Sequence, residues 1–224
     1  MGGGKRRDGF VTEKLTHRVH SDAKEADTAT RIARVAMTLF SQHGYDGVST
    51  TDIARASGVS QPAIHYHFSD KKTLWQQSMR ELAAVVSTGH SYIDRILEEE
   101  DPCERLKLQC AALLDINDNR QELGRVLMLE GVAGGERLEW LVKEIFMPFY
   151  SVFLDDVREC VKHGIIRDYE PEKIVVMLHV ALVMYQNLAP LIRIAFDQDP
   201  SDPAEARKYG EMVMEVLMKG LQAD

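Results

Sequence analysis

The sequence lacks the short motifs that organise the common catalytic sites. No GxSxG, HExxH, GxGxxG, P-loop or CxxC pattern occurs in its 224 residues. One acidic cluster, Asp155, Asp156 and Glu159, lies on one side of a long predicted helix, but it contains no histidine, and a solvated acidic face is the expected interpretation. We therefore expect no catalytic residue, no metal and no cofactor, and we do not expect an enzyme.

Cysteines and long apolar runs are also scarce. Cys103, Cys110 and Cys160 are an odd number without metal-ligand spacing, so we expect buried small side chains in a reducing cytoplasm, with a redox-sensing pair as the open alternative. The longest apolar stretch, Ile174 to Met184, is interrupted by His179 and is shorter than the ~20 residues that span a bilayer. The N-terminal MGGGKRRDG has no apolar run behind it. These features predict a cytoplasmic protein without membrane segments.

Charge is divided unevenly along the chain. Residues 1–80 hold 12 Lys and Arg against 8 Asp and Glu, whereas residues 81–224 hold 15 against 27. A basic N-terminal part on an acidic body fits a protein whose N-terminal part meets phosphate groups. For the body, acidic surface that merely aids solubility is the alternative.

The stretch from Ser49 to Leu74 predicts two short helices joined by a tight turn, followed by the start of a third helix. Ser49 or Thr50 can cap the first helix. Gly58 stands where the turn needs a left-handed residue without a Cβ atom. Pro62 falls in the first turn of the second helix, where a missing N–H costs nothing. This arrangement is typical of a helix-turn-helix.

The second helix, Gln61 to Phe68, has an unusual outer face. Ile64 and Phe68 lie four residues apart and can close a small core. The remaining positions carry small, amide or aromatic polar side chains and no acidic ones: Gln61, Ala63, His65, Tyr66 and His67. A short helix with such a face can enter a DNA major groove about 12 Å wide. We therefore predict that it is a recognition helix.

At these residues the chain resembles the TetR (tetracycline-repressor-like) family of bacterial transcription regulators. The family pattern has a Thr that opens the first helix, an Ile-Ala pair, a Gly-Val-Ser turn, an aromatic pair, a Phe, a Lys and a Leu. In this sequence those positions are Thr50 or Thr51, Ile53-Ala54, Gly58-Val59-Ser60, His65-Tyr66, Phe68, Lys71 and Leu74. The resemblance covers residues 28–82.

The resemblance implies a set of DNA-contacting residues at the matching positions. They are Thr50, Thr51, Gln61, Pro62, Ala63, His65, Tyr66, His67 and Lys71. His65 departs from the family pattern, which usually has Tyr there. A neutral histidine still offers phosphate a donor and an acceptor, and a charge gained in the mildly acidic range would make DNA affinity depend on pH.

We predict three parts along the chain. These are a basic flexible arm over residues 1–26, a helix-turn-helix DNA-binding domain over 27–76 and a helical body over 77–224. No strand pattern stands out, so the expected fold is all-α with about nine or ten helices. The resemblance implies that the N-terminal domain has three helices and that the larger body binds an effector and forms a dimer.

Several helices of the body have clear start signals. Asp101, Glu170 and Asp202 each stand directly before a proline, which suits the first position of a helix. Residues 136–163 predict one long helix, which Pro148 should kink. The helix that follows Glu170 is apolar on nearly every side, and one monomer would struggle to cover it. A second copy would solve this by forming a four-helix bundle, so we expect a homodimer.

The resemblance also implies a pocket for a small-molecule effector in the body. Aromatic, Met and polar side chains there are candidate contacts: His90, Arg125, Met128, Phe149, Phe153 and His179. Ordinary core packing is the alternative for most of them. For His179 the alternative is a core or interface histidine whose hydrogen bonds are satisfied.

We therefore expect a DNA-binding transcription regulator, most simply a repressor. It would bind a palindromic operator in double-stranded DNA as a homodimer, and an effector would release it by favouring a spacing of the two heads that does not fit the operator. A ligand-independent architectural protein, or an activator of the same fold, is the alternative.

Overall fold

The computed structural model describes residues 27–88, 92–119 and 121–222. The predicted arm over residues 1–26 and the ligand candidate His90 lie outside them. Across the described residues all regular structure is helical apart from one isolated antiparallel bridge. The all-α fold predicted from the sequence is confirmed.

Twelve α-helices and one π-helical turn make up the described part of the chain. In chain order they are α1 (27–43), α2 (Thr50–Ser57), α3 (Gln61–His67), α4 (Lys71–Thr88), α5 (Tyr92–Glu98), α6 (Pro102–Asn119), α7 (Gln121–Ala133), α8 (Glu136–Leu141), the π-helical turn (Val142–Phe146), α9 (Met147–Lys162), α10 (Pro171–Asn187), α11 (Ala189–Phe196) and α12 (Pro203–Leu221). The predicted number of nine or ten is too low, because the π-helical turn interrupts the long helix over 136–163 and because only Leu188 separates α11 from α10.

The chain divides into two compact units, one ending at Glu81 and the other beginning at Leu82. The division falls inside α4, as does the domain boundary expected near residue 76. In the first unit, α1 to α4 bury an apolar core whose fully buried members are Ile32, Phe40, Ile53, Ile64, Leu74, Trp75 and Met79. This core holds the short helices at fixed angles and leaves the outer face of α3 free of packing.

In the second unit, helices α6, α9, α10 and α12 share one core. Its buried members include Leu106, Phe153, Val157, Leu178 and Leu182. Helix α10 is apolar on nearly every side, as expected, and part of that surface stays exposed. No single helix in the described part is both long and apolar enough to cross a membrane, although α10 and α11 together pass that test with a 70° bend between them.

A buried ion pair joins α6 to α9. The Arg105 guanidinium donates to Asp156 Oδ1 from Nε at 2.8 Å, and Gln109 Nε2 donates to Asp156 Oδ2 at 2.6 Å. The hydrogen bond to Asp156 raises the pKa of Arg105. The expectation of a solvated acidic face is therefore wrong for Asp156, whose side chain is only 5% exposed, whereas that of Asp155 is 76% exposed. The partner of Asp156 comes from a distant helix, and spacing along α9 cannot reveal it.

The cysteines also link these two helices. Cys103 of α6 and Cys160 of α9 form a disulfide with their Cα atoms 6.0 Å apart. All three cysteines are buried, as expected. The sequence left a cysteine pair open as the alternative but could not show which two would pair, because these two positions are 57 residues apart in sequence and meet only in the packed core. Cys110 is buried without a disulfide partner, and burial raises the pKa of its thiol to about 12.

The π-helical turn stands directly before Pro148. The Met147 N–H donates to the carbonyl of Val142, five residues back instead of four. Pro148 has no N–H to offer the carbonyl of Glu144, so the regular hydrogen-bond pattern is broken at this point in any case. The sequence predicts a kinked helix here, and the structure accommodates the missing hydrogen bond with one wider, π-helical turn.

Candidate DNA-binding surface and buried chamber

Local features set both ends of α2. At its start, the Asp52 N–H donates to Ser49 Oγ at 3.1 Å, and the Ser49 N–H donates back to the Asp52 carboxylate at 3.2 Å, which forms a capping box. Hydrogen bonds from the Ser49 hydroxyl and from the Ser49 N–H to the carboxylate lower the pKa of Asp52. Gly58 ends α2 with a φ of +68°, in the left-handed region that favours glycine. The local features predicted at Ser49 and Gly58 are therefore present.

Helix α3 presents a polar outer face. Ile64 and Phe68 point into the core of the first unit, as predicted. Tyr66 is 72% exposed, and its ring meets that of His67 edge to face at 5.1 Å between centroids. The other candidates of this helix lie around the same outer surface: Gln61, Pro62 and His65 are exposed, and Ala63 is partly buried. The first turn of α3 carries no acidic residue, so its positive end is left for an anion.

Three further candidates flank this face. Thr50 and Thr51 open α2, and Thr51 is the more exposed of the two. Lys71 is the first residue of α4, and its Nζ atom lies 4.2 Å from the centre of the Tyr45 ring. Tyr45 stacks on Phe40 with centroids 5.8 Å apart. This contact orients the Lys71 ammonium, and the sequence gives no local signal for it because Tyr45 lies before α2.

A small, partly open chamber lies between α6, α9 and α10 of the second unit. Its walls are Leu113, Phe149, Tyr150, Phe153, Val175 and His179. These side chains pack so closely that the space between them does not admit a sphere the size of water. Phe149 and Phe153 pack with ring centroids 5.0 Å apart, which accounts for part of this tightness.

His179 is the polar centre of this chamber. Both of its ring nitrogens are buried, and neither has a hydrogen-bond partner among the described residues. The edge-to-face neighbours of its ring are Tyr150 at 5.5 Å and Phe146 at 6.4 Å. Burial lowers the pKa of His179 to about 4 and raises the pKa of Tyr150 to about 12. Both side chains are therefore uncharged at neutral pH.

The chamber gathers only some of the ligand candidates. Phe149, Phe153 and His179 line it together, and the sequence analysis did not select Tyr150, although aromatic content could have indicated it. Arg125 and Met128 belong to α7 and lie outside the walls, where Arg125 donates to Gln121 Oε1 at 2.8 Å. Among the described residues, no group of three or more His, Cys, Asp or Glu side chains could hold a metal ion.

Comparison with known proteins finds a match for part of the first unit. Residues 32–77 match the family model described as "Bacterial regulatory proteins, tetR family". Over these residues the chain is similar to the TetR family. All nine candidate DNA contacts, from Thr50 to Lys71, fall inside the TetR match, whereas the chamber lies wholly outside it.

One curated relative shares the TetR match. The biofilm operon icaADBC HTH-type negative transcriptional regulator IcaR of Staphylococcus aureus (strain Newman) is 42% identical over 45 residues, which are 20% of this chain and 24% of IcaR. The chain therefore matches about a quarter of the length of that relative. No conclusion about the second unit follows from it.

Two solved TetR-like structures extend the likeness to most of the chain. HlyIIR, a hemolysin II transcriptional regulator, is 16% identical with a TM-score of 0.69, covering 89% of this chain and 99% of HlyIIR. AibR, in complex with isovaleryl coenzyme A and operator DNA, is 16% identical with a TM-score of 0.67, covering 85% of this chain and 98% of AibR. At this identity the likeness shows the fold of both units and nothing more.

Proposed function

We propose that this protein is a transcription regulator, most simply a repressor, that binds a palindromic operator as a homodimer and is released by a small-molecule effector. The observation that carries the proposal is the exposed outer face of α3, which holds Gln61, His65 and Tyr66 and no acidic side chain. Binding to an operator would place the protein in the cytoplasm. No catalytic residue is proposed.

The face of α3 suits both kinds of contact that operator recognition needs. The Gln61 amide can pair with an adenine edge, and such contacts specify sequence. Tyr66, His67 and Lys71 can bond phosphate oxygens, and such contacts set position and orientation. IcaR is named as a negative transcriptional regulator and AibR as a complex with operator DNA, and these descriptions support operator binding as the proposed role.

An unpaired apolar surface supports the homodimer. Val176 and Val180 of α10 and Met212 and Val216 of α12 are all exposed. A groove of about 620 Å³ runs between these two helices, with Met177 among its walls. Exposed apolar side chains in such number on two adjacent helices favour association with a like surface. A second copy would bury them in a four-helix bundle and pair two recognition helices for half-sites about 34 Å apart.

The direct test is a salt-dependent binding assay on the DNA segment beside the gene, with and without a small-molecule fraction of a cell extract. We expect binding of one dimer per site, weakening steeply with salt, and relief of binding by the fraction. Absence of binding even at low salt would contradict the proposal.

A ligand-independent DNA-binding protein, or an activator, is the second candidate. The chamber favours it, since the space around His179 has no room even for water in the described conformation. In the same assay this candidate predicts specific binding that no extract fraction relieves.

A further inference from the structure

Among the described residues of the second unit, the buried polar atoms without a hydrogen-bond partner are Gln109 Oε1, Asn187 Oδ1 and both ring nitrogens of His179. Buried polar groups in native proteins nearly always have hydrogen-bond partners, because leaving one unpaired opposes folding. In His179 two such atoms lie together on one ring. An apolar side chain of similar size would fill the same space without this cost.

A second copy of the chain does not supply the missing partner. His179 lies four residues from Val175 and from Val183, and both of these are buried. The exposed Val176 precedes His179 by three residues and lies beside it on α10, so a second copy that covers Val176 would come near the ring. Both ring nitrogens are already buried within one protomer, so a second copy could reach neither of them unless the surrounding side chains moved.

We propose that the chamber around His179 is the effector site and that it takes a compact, uncharged ligand with an apolar body and one hydroxyl group. This inference rests on the proposed function, because it names the ligand class to which the regulator responds. It goes beyond that function by naming the site and the polar group that recognises the ligand.

The chemistry of the walls selects this class. A neutral imidazole has one N–H donor and one acceptor nitrogen. A hydroxyl group can accept a hydrogen bond from the first or donate one to the second. The other walls are aliphatic or aromatic, and none carries a charge at neutral pH. A carboxylate or ammonium group would lie there without a counter-charge, which strongly disfavours its burial. The aromatic rings of Phe149 and Phe153 favour a flat or branched apolar body.

The chamber must open to admit such a ligand, and its outer wall is suited to do so. Phe149 and Tyr150 are only partly buried, and they follow the π-helical turn by a few residues. That turn carries Phe146, whose ring contacts both Tyr150 and His179. Single π-helical turns are frequent at functional sites. Rotation of these rings would enlarge the space beside His179 and change the contacts between α9 and α10.

The test compares phenol with toluene, which has nearly the same shape but no hydroxyl group. Binding to the full-length free dimer is measured by calorimetry, and ¹⁵N-histidine NMR follows the imidazole nitrogens. We expect phenol to bind about tenfold more tightly than toluene, which is the value of one net hydrogen bond, and to shift the His179 nitrogen signals. His179→Phe should abolish the preference, whereas His163→Phe, at an exposed position, should keep it. A preference unchanged in His179→Phe, or no shift of the His179 signals, would overturn the inference.

A second variant guards against a folding defect in His179→Phe. His179→Gln keeps a donor and an acceptor, so it should retain a preference for phenol, and loss of that preference in a folded variant would count against the hydrogen bond. DNA-binding assays separate the two claims. If extract relieves DNA binding equally in wild type and His179→Phe, the proposed function stands and this inference fails. If phenol binds at His179 and nothing relieves DNA binding, the site stands and effector release fails.

Discussion

The DNA-binding surface and the buried chamber are built on opposite principles. Every candidate DNA contact lies between Thr50 and Lys71, on helices whose ends are set by caps and turns within a few residues. The chamber takes its walls from three helices, with Leu113 and His179 far apart in sequence. The first site is exposed and formed by local signals, whereas the second is largely buried and formed only by packing. Substitutions at one site should therefore leave the folding of the other nearly intact.

The largest expected effect is on the packing of the second unit. Asp156→Ala should lower the free energy of unfolding by about 3 kcal/mol, because it leaves the Arg105 guanidinium partly buried without its partner. Asp155→Ala is the matched control on the same helix and should change stability by less than about 0.5 kcal/mol. Urea unfolding at one fixed protein concentration measures both. Equal effects of the two variants would show that the buried pair does not hold α6 to α9.

Acid should also destabilise the second unit through His179. The unfolded chain takes up a proton near the ordinary histidine pKa of 6.5, but the folded imidazole does so only at about 4. Stability is therefore fully present above pH 6.5 and falls as the pH drops from 6.5 to 4, by at most about 3 kcal/mol. Unfolding curves across this range should be less pH-dependent in His179→Phe than in wild type. Parallel pH profiles would mean that the folded His179 titrates normally.

Among the DNA contacts, Gln61→Ala should change how strongly DNA affinity depends on the base at one operator position. Loss of its amide should cost about 1–3 kcal/mol at one base position and little at the others. Tyr66→Ala provides the comparison, since loss of a phosphate contact should weaken binding to all operators alike. Affinities for a set of singly substituted operators decide between them. Equal loss on every operator would make Gln61 a positioning residue.

The smallest expected effect is on the salt dependence of DNA binding, through the charge of Lys71. Lys71→Gln should reduce the slope of log affinity against log salt by about one, because one phosphate contact is lost. Lys173→Gln removes an exposed lysine of α10 that is paired with Glu170 at 2.6 Å, and it should leave the slope unchanged. An unaltered slope in Lys71→Gln would remove Lys71 from the phosphate contacts and leave it only its place over the Tyr45 ring.

The contrast between local and long-range contacts explains which features of the fold could be predicted from the sequence. The cap at Ser49, the left-handed turn at Gly58 and the inward face of Ile64 depend on neighbours a few residues away, and all three were predictable. The π-helical turn was predicted only as a kink. Pro148 indicates that one helical hydrogen bond is missing, but it does not indicate which backbone geometry the helix adopts there. Helix α11 was not predicted, since only Leu188 separates it from α10 and Pro190 in its first turn has no polar cap residue before it.

Contacts between residues far apart in sequence could not be predicted. Nothing along α9 indicates that Asp156 faces Arg105 or that Cys160 faces Cys103, because each partner belongs to α6. Likewise, the aromatic, Met and polar side chains of the body suggested Phe149, Phe153 and His179 as ligand contacts, but the sequence could not show that Arg125 and Met128 lie elsewhere. Such pairs are decided by how helices pack.

The π-helical turn has a consequence for how this segment can be compared with others. Buried Leu141 and Phe146 are five residues apart, a spacing that a regular helix would place on different sides. Deleting one residue from Val142–Phe146 would restore the ordinary period and rotate everything before it by about 100° relative to α9. An alignment that closes this one-residue insertion would therefore assign Phe146, and with it one wall contact of His179, to the wrong position.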